Sequence, residues 1–155
     1  MKVPWGNGKG NRVVVFGLGA SGRSATSLLR SRGVEVVGVD KRPASELDLG
    51  ALHHDAGLEL AGESALETLP RGVDGVVLSP GVPLGHPLIF GARASGVPVI
   101  AEVELASVFA EGPLVGITGS NGKSTTTRMT GEILESAGIR TEICGNIGVP
   151  LSAVV

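Results

Sequence analysis

The fold is decided by residues 12–40: the run Arg12-Val13-Val14-Val15-Phe16, the loop Gly17-Leu18-Gly19-Ala20-Ser21-Gly22, a helical stretch, and then Val34-Glu35-Val36-Val37-Gly38-Val39-Asp40. Residues 13–16 are continuously apolar, the pattern of a strand covered on both faces. Over 21–32, Ala25, Leu28 and Leu29 form an apolar stripe while Arg23, Arg30 and Arg32 form a wet face, and Gly33 ends the helix. The second apolar run closes on an acid, Asp40, which lies 23 residues past Gly17. Strand, G-x-G-x-x-G, helix, strand and acid together predict a nucleotide-binding βαβ unit. The first glycine permits the tight turn, the second lets backbone approach a phosphate, and the third lets helix and strand pack closely. Free N–H groups and the positive dipole end of the helix favour an anion there. Asp40 is placed to accept hydrogen bonds from a ribose or a base edge. The motif does not choose the nucleotide, and NAD is the default for such a loop.

Outward from this unit the alternation continues. Residues 41–72 suggest short helices around 45–53 and 64–69 with a strand between. Val73–Leu78 reads as a strand running into Ser79-Pro80-Gly81-Val82-Pro83, a loop at the strand end where such sheets bind ligands. His86-Pro87 starts a helix over 87–95. The strand 97–100 follows, with Pro98 pointing to a sheet edge, then a helix over 102–110. Residues 114–118 and 140–144 read as strands, and 123–137 as a helix closed by Gly138. The class is α/β, a Rossmann-like parallel sheet covered on both faces.

A second glycine loop lies at Thr118-Gly119-Ser120-Asn121-Gly122-Lys123-Ser124-Thr125, between an expected strand and an expected helix. Its Gly-Lys-Ser ending is that of a nucleoside-triphosphate loop. Backbone N–H groups ring the phosphates, Lys123 neutralises the β- and γ-phosphates, and the Ser124 hydroxyl sits on Mg²⁺. The strict pattern G-x-x-x-x-G-K-[ST] needs glycine at 117, where the chain has Ile117 and carries the glycine at 119. Two nucleotide loops in tandem do not make a dehydrogenase. They suggest one domain for a nucleotide-linked substrate and a second for ATP, with the boundary in the turn residues at 110–113.

Composition narrows the classes further. Of 155 residues, 42% are hydrophobic and 18% charged, and the net charge is −2. That is enough apolar material for a core and too little positive charge for general nucleic-acid binding. One cysteine, Cys144, rules out an internal disulfide, and no Cys/His spacing suggests zinc. His53-His54 reads as a solvated pair without a third ligand. No apolar stretch approaches the ~20 residues of a membrane span, and the N-terminus lacks the apolar core of a secretory signal. A cytoplasmic protein is expected. Residues 1–11 read as a flexible leader in which Trp5 either packs or dangles.

With those motifs in place, the chain resembles the Mur ligases of bacterial cell-wall synthesis, which use the Thr-Gly-[Ser/Thr]-Asn-Gly-Lys-[Ser/Thr] form of the loop. The likeness is strongest to the branch that adds D-glutamate to UDP-N-acetylmuramoyl-L-alanine. It rests on four motifs in order: Gly17–Gly22, Ser79–Gly81, Gly119–Thr125 and Gly145–Gly148. Cys144 departs from the glycine expected before Gly145, and its thiol reads as a small apolar filler. The resemblance implies that the first loop holds UDP rather than NAD, with Gly17, Gly19, Ala20, Ser21 and Gly22 at the phosphates and uridine, and Asp40 with Lys41 on the uracil side. Ser79, Pro80 and Gly81 would line the nucleotide-sugar path, and Asn146 would reach the substrates between domains. Gly119, Ser120, Asn121, Gly122, Lys123, Ser124, Thr125 and Thr126 would hold ATP and Mg²⁺, with Lys123 as the catalytic cation and Ser124 as a partial metal site. The implied reaction passes through an acyl phosphate attacked by the D-glutamate amine.

Only 31 residues follow Ser124, and no carboxylate ends an apolar strand beside the loop. The expectation is therefore a nucleotide-substrate domain over 1–111 and an incomplete start of an ATPase domain over 112–155, inactive alone. The tail from about 112 is expected to pack poorly. Two other readings stay open: a NAD(P)-binding oxidoreductase domain, which leaves residues 118–125 without purpose, and a non-catalytic nucleotide-sugar binding module.

Overall fold

The computed structural model describes residues 3–6, 10–62 and 67–155. Of the helix expected over 64–69, residues 64–66 lie outside that description. Five strands form one parallel sheet: β1 (Arg12–Phe16), β2 (Glu35–Asp40), β3 (Leu58–Gly62), β4 (Gly75–Leu78) and β5 (Val99–Ala101), in the order β3-β2-β1-β4-β5. Helices α1 (Ala20–Ser31), α2 (Pro87–Ala94) and α3 (Glu102–Ser107) cover it, and α4 (Lys123–Ser136) follows. Short 3-10 turns occupy Ala44–Glu46, Gly50–His54 and Leu151–Ala153.

The central strand shows why the apolar run at 13–16 folds this way. Val13 and Val15 face a layer that contains Leu28 and Leu29 of α1 and Leu105 of α3. Val14 and Phe16 face the opposite layer, with Leu88, Ile89 and Ala92 of α2. Successive side chains of a strand point to opposite faces, so a run apolar at every position is satisfied only between two helical layers. Each buried valine or leucine contributes about 1.5–3 kcal/mol relative to exposure. Pro98 cannot donate to a ladder, and β5 is an edge strand, as expected. The strand proper starts at Val99, and α3 ends at Ser107 rather than at 110.

The segment read as a leader contributes to the core. Val3 and Trp5 are buried with the α1 layer, and Asn11 donates its side-chain N–H to the Trp5 carbonyl at 3.1 Å. The Trp5 ring lies over Gly75, where a Cβ would come within 2.1 Å of it.

Beyond residue 110 two expectations fail. Residues 114–118 form no strand, and Leu114 and Val115 are exposed. Residues 140–144 form none either, apart from a single bridge from Cys144 to Val149. Apolar, β-branched sequence becomes a strand only where a neighbour supplies ladder hydrogen bonds, and no described strand runs alongside either segment. The helix of this region forms regardless, because its hydrogen bonds are internal. It buries only Gly131 and leaves Met129 and Ile133 exposed, so the expected poor packing is present up to residue 142.

Candidate functional site

Register brings the first loop's parts together. Phe16 of β1 pairs with Val39 on one side and Leu78 on the other. The next residue of each strand therefore meets at the C-terminal edge of the sheet: Gly17, Asp40 and Ser79. The Gly17 N–H donates to the Val39 carbonyl at 2.7 Å, and the Ser79 N–H to the Phe16 carbonyl at 3.0 Å. From β1 the chain turns to α1 on one face, and from β4 to α2 on the other. This is the switch point at which parallel α/β sheets open a crevice for ligands.

The glycines act as the motif requires. Gly17 has φ of +88°, where a side chain is strained. At Gly22 a Cβ would lie 1.7 Å from the Gly17 carbonyl oxygen, so only glycine lets α1 start this close to β1. Gly19 faces open space. No side chain caps α1 and no acid lies in its first turn, so the backbone N–H groups of Ala20 and Ser21 are available to an anion. Ser79 is buried, and its hydroxyl donates to the Gly17 carbonyl at 2.6 Å, which ties the loop after β4 to the loop after β1. Pro80 and Gly81 beside it are exposed.

Asp40 is 7% exposed and both its oxygens already accept protein donors. Oδ2 accepts the Leu18 N–H at 2.7 Å, and Oδ1 accepts the Arg42 N–H at 2.9 Å. The Arg42 guanidinium completes the set, with Nε at 3.0 Å from Oδ1 and Nη2 at 3.1 Å from Oδ2. This fork is the main reason the Asp40 carboxyl is held down at about 2, against the opposing effect of burial. Lys41, expected with Asp40 on the uracil side, is exposed beside it, and the cation on the carboxylate is Arg42. The signal available was the short span: two residues past a strand-end acid, an arginine can fold back onto it. His86, expected to start a helix, does so. Its ring meets Phe16 edge-on at 4.6 Å at this end of the sheet, while Nδ1 accepts the Leu88 N–H and caps α2.

The second loop, Gly119–Gly122, precedes α4, with Gly122 at its N-cap in the left-handed region. Lys123 folds back so that Nζ donates to the carbonyls of Gly119 and Ser120. Ser120, Asn121, Ser124, Thr125 and Thr126 are exposed. This arrangement fits a phosphate-binding loop. It does not complete a metal site: Ser124 supplies one hydroxyl, and among the described residues no three metal-ligating side chains converge anywhere. Asn146 is exposed in the loop between Cys144 and Val149. His53 and His54 are exposed on a 3-10 turn, ring against ring at 5.1 Å.

A crevice at the switch point followed by a Gly-Lys-Ser loop narrows the class, and the comparisons supply it. Residues 11–101 match the N-terminal domain of MurD-like Mur ligases. The chain belongs to the Mur ligase family. It is 46% identical over 149 residues to the UDP-N-acetylmuramoylalanine--D-glutamate ligase of Acidobacterium capsulatum, covering 95% of this chain and 32% of that protein. It is 42% identical over 147 residues to the enzyme of the same name from Streptococcus pneumoniae (strain G54), covering 94% and 33%. Among solved structures it resembles the UDP-N-acetylmuramate-alanine ligase MurC of Thermotoga maritima, with a TM-score of 0.52 and 26% identity over 82% of this chain and 30% of that one. The chain thus spans about a third of the length of the curated relatives it matches. No helix among the described residues is long and apolar enough to cross a membrane.

Proposed function

We propose that the chain is the nucleotide-substrate-binding part of a D-glutamate-adding ligase, joined to the start of its ATP-binding domain. The observation that carries this is the tandem arrangement: a switch-point crevice with an uncapped α1 N-terminus, and a Gly-Lys-Ser loop downstream of it. The relatives named as UDP-N-acetylmuramoylalanine--D-glutamate ligases match this chain over 94–95% of its length, a stretch that takes in both loops.

In this reading the diphosphate of UDP-N-acetylmuramoyl-L-alanine lies against the N–H groups of Ala20 and Ser21. Asp40 is not the direct uracil contact. It fixes Leu18 and aims Arg42, whose guanidinium is half exposed and free on its outer edge to meet phosphate or uracil oxygens. Ser79, Pro80 and Gly81 floor the path toward the sugar, and Asn146 reaches the substrate from the second domain. Lys123 and the N–H groups of Gly119–Gly122 hold the ATP phosphates, with Ser124, Thr125 and Thr126 beside them. ATP with Mg²⁺ supplies the phosphoryl group that activates a carboxylate for amide formation. Ser124 offers the metal one hydroxyl, and among the described residues no three metal-ligating carboxylate, imidazole or thiol groups converge.

Calorimetric titration with UDP-N-acetylmuramoyl-L-alanine, with NAD⁺ in parallel, tests this. Saturable binding of the uridine compound and none of NAD⁺ is expected; binding of NAD⁺ alone overturns the reading. With D-glutamate, ATP and Mg²⁺ added, no phosphate release is expected from the 155-residue chain.

A further inference from the structure

The chain between 111 and 149 is largely exposed, yet the two residues after Pro150 are not. Leu151 and Ser152 are buried, and Val155 packs against the same apolar layer as α1 and α3. Glu102, the first residue of α3, is only 5% exposed. Its Oε1 accepts the Ser152 N–H at 2.8 Å, a contact between residues 50 apart in sequence. A carboxylate is costly to remove from water unless it receives hydrogen bonds, and this one receives the backbone of a distant turn. Leu151 and Val155 supply adhesion without direction, whereas an N–H aimed at a buried oxygen sets one register. The linkage onward is short and stiff. Pro150 precedes the turn, and the Gly145 N–H donates to the Val149 carbonyl at 2.8 Å, closing the loop that carries Asn146.

The geometry points to Glu102 as a positioning residue that clasps the turn Leu151–Ala153 to the first domain and thereby fixes the Gly145–Gly148 loop. The exposed segment 111–142 is then held at both ends. The clasp also forms one wall of an open cleft of about 610 Å³ along α1, where Ser152 and Val155 face Ser24, Ser27 and Leu28. That Asn146 is thereby aimed at a nucleotide sugar rests on the function proposed above; the clasp itself does not.

Cys144, the single thiol, sits in the clasped segment and reports on it. It is half-buried, and its thiol is pushed up by burial first and by the charges of Glu102 and Glu142 second. Alkylation by iodoacetamide is followed across pH in the 155-residue chain and its variants. Release of the clasp raises the plateau rate reached at high pH, whereas loss of the Glu102 charge alone moves only the midpoint. Glu102→Leu, which fills the space but removes the acceptor, is expected to raise the plateau about tenfold or more. Glu102→Gln keeps an acceptor oxygen, and its plateau is expected to stay at that of the parent chain. Ser152→Ala keeps the N–H donor and is expected to change nothing. Leu151→Ser weakens the turn without touching Glu102 or the thiol's charges; it is expected to raise the plateau and decides the matter if Glu102→Leu does not fold. A parental plateau in Leu151→Ser and in whichever Glu102→Leu protein folds overturns the clasp, as does a Glu102→Gln plateau raised as far as that of Glu102→Leu. In the titration with UDP-N-acetylmuramoyl-L-alanine, Glu102→Leu is expected to bind several-fold more weakly. If the parent chain does not bind that compound, the uridine reading fails while the thiol rates still decide the clasp.

Discussion

Replacing Asp40 by asparagine should make the protein less stable at neutral pH and much less so in acid. The carboxylate accepts the Leu18 and Arg42 backbone N–H groups and the Arg42 fork, which draw it from the ordinary 3.8 to about 2. That displacement corresponds to about 2 kcal/mol of folding free energy. Because the Arg42 side chain is 42% exposed, water screens its share, and about 1–2 kcal/mol is expected. A folded-state value below the unfolded one means that the stabilisation is present in full above the unfolded value. It is lost as pH falls through the folded one, about half of it being gone near pH 3 and two thirds near pH 2.5. Urea unfolding of the parent chain and Asp40→Asn at pH 7 and pH 2.5 reads this directly. With a slope of about 1–2 kcal/mol per molar urea, the midpoints should differ by about 1 M at pH 7 and by about a third of that at pH 2.5. An equal gap at both pH values would refute the reasoning, since the loss would then come from shape and not from the ionised carboxylate.

Other consequences follow from named contacts. Gly22→Ala places a methyl 1.7 Å from the Gly17 carbonyl oxygen and 2.7 Å from the Ser79 hydroxyl, and it should cost about 3 kcal/mol or more; a thermal melt within about 3 °C of the parent contradicts this. Trp5→Ala removes a buried ring from over Gly75 and should cost about 2–4 kcal/mol in urea unfolding, whereas a neutral result would mean that the N-terminal segment is not docked in solution. Arg42→Ala should weaken UDP-N-acetylmuramoyl-L-alanine binding by about tenfold or more, while Lys41→Ala, at an exposed position, should leave it nearly unchanged by calorimetry. Lys123→Ala should abolish any binding of a non-hydrolysable ATP analogue to the chain without altering its thermal melt, because Lys123 bonds only to its own exposed loop.

The first hundred residues were legible because their signals are local and agree with one another. Residues 13–16 are apolar at every position, 34–39 at every position but Glu35, α1 has a stripe and a glycine stop, and Pro98 marks an edge. The same rules misread 114–118 and 140–144, since a β-branched run needs a ladder partner that no described strand provides. Trp5 was ambiguous in sequence because nothing local shows that Gly75, seventy residues on, leaves room for its ring. At the candidate site the glycines could be assigned roles from spacing alone, and Gly17 and Gly22 fill them. Arg42 was not singled out, because only the folded turn shows its guanidinium reaching back onto a buried carboxylate. Glu102 carried no sequence signal at all; its meaning comes from a turn 50 residues away.

The central claim is that the crevice between β1, β2 and β4 is the nucleotide-sugar site. The most direct test is an amide ¹H–¹⁵N titration of the chain with UDP-N-acetylmuramoyl-L-alanine. The account predicts shifts concentrated at Leu18, Ala20, Ser21, Arg42 and Gly81, with the amides of Gly119–Thr126 unmoved. Shifts confined to the second loop, or to the cleft between α1 and residues 151–155, would contradict it.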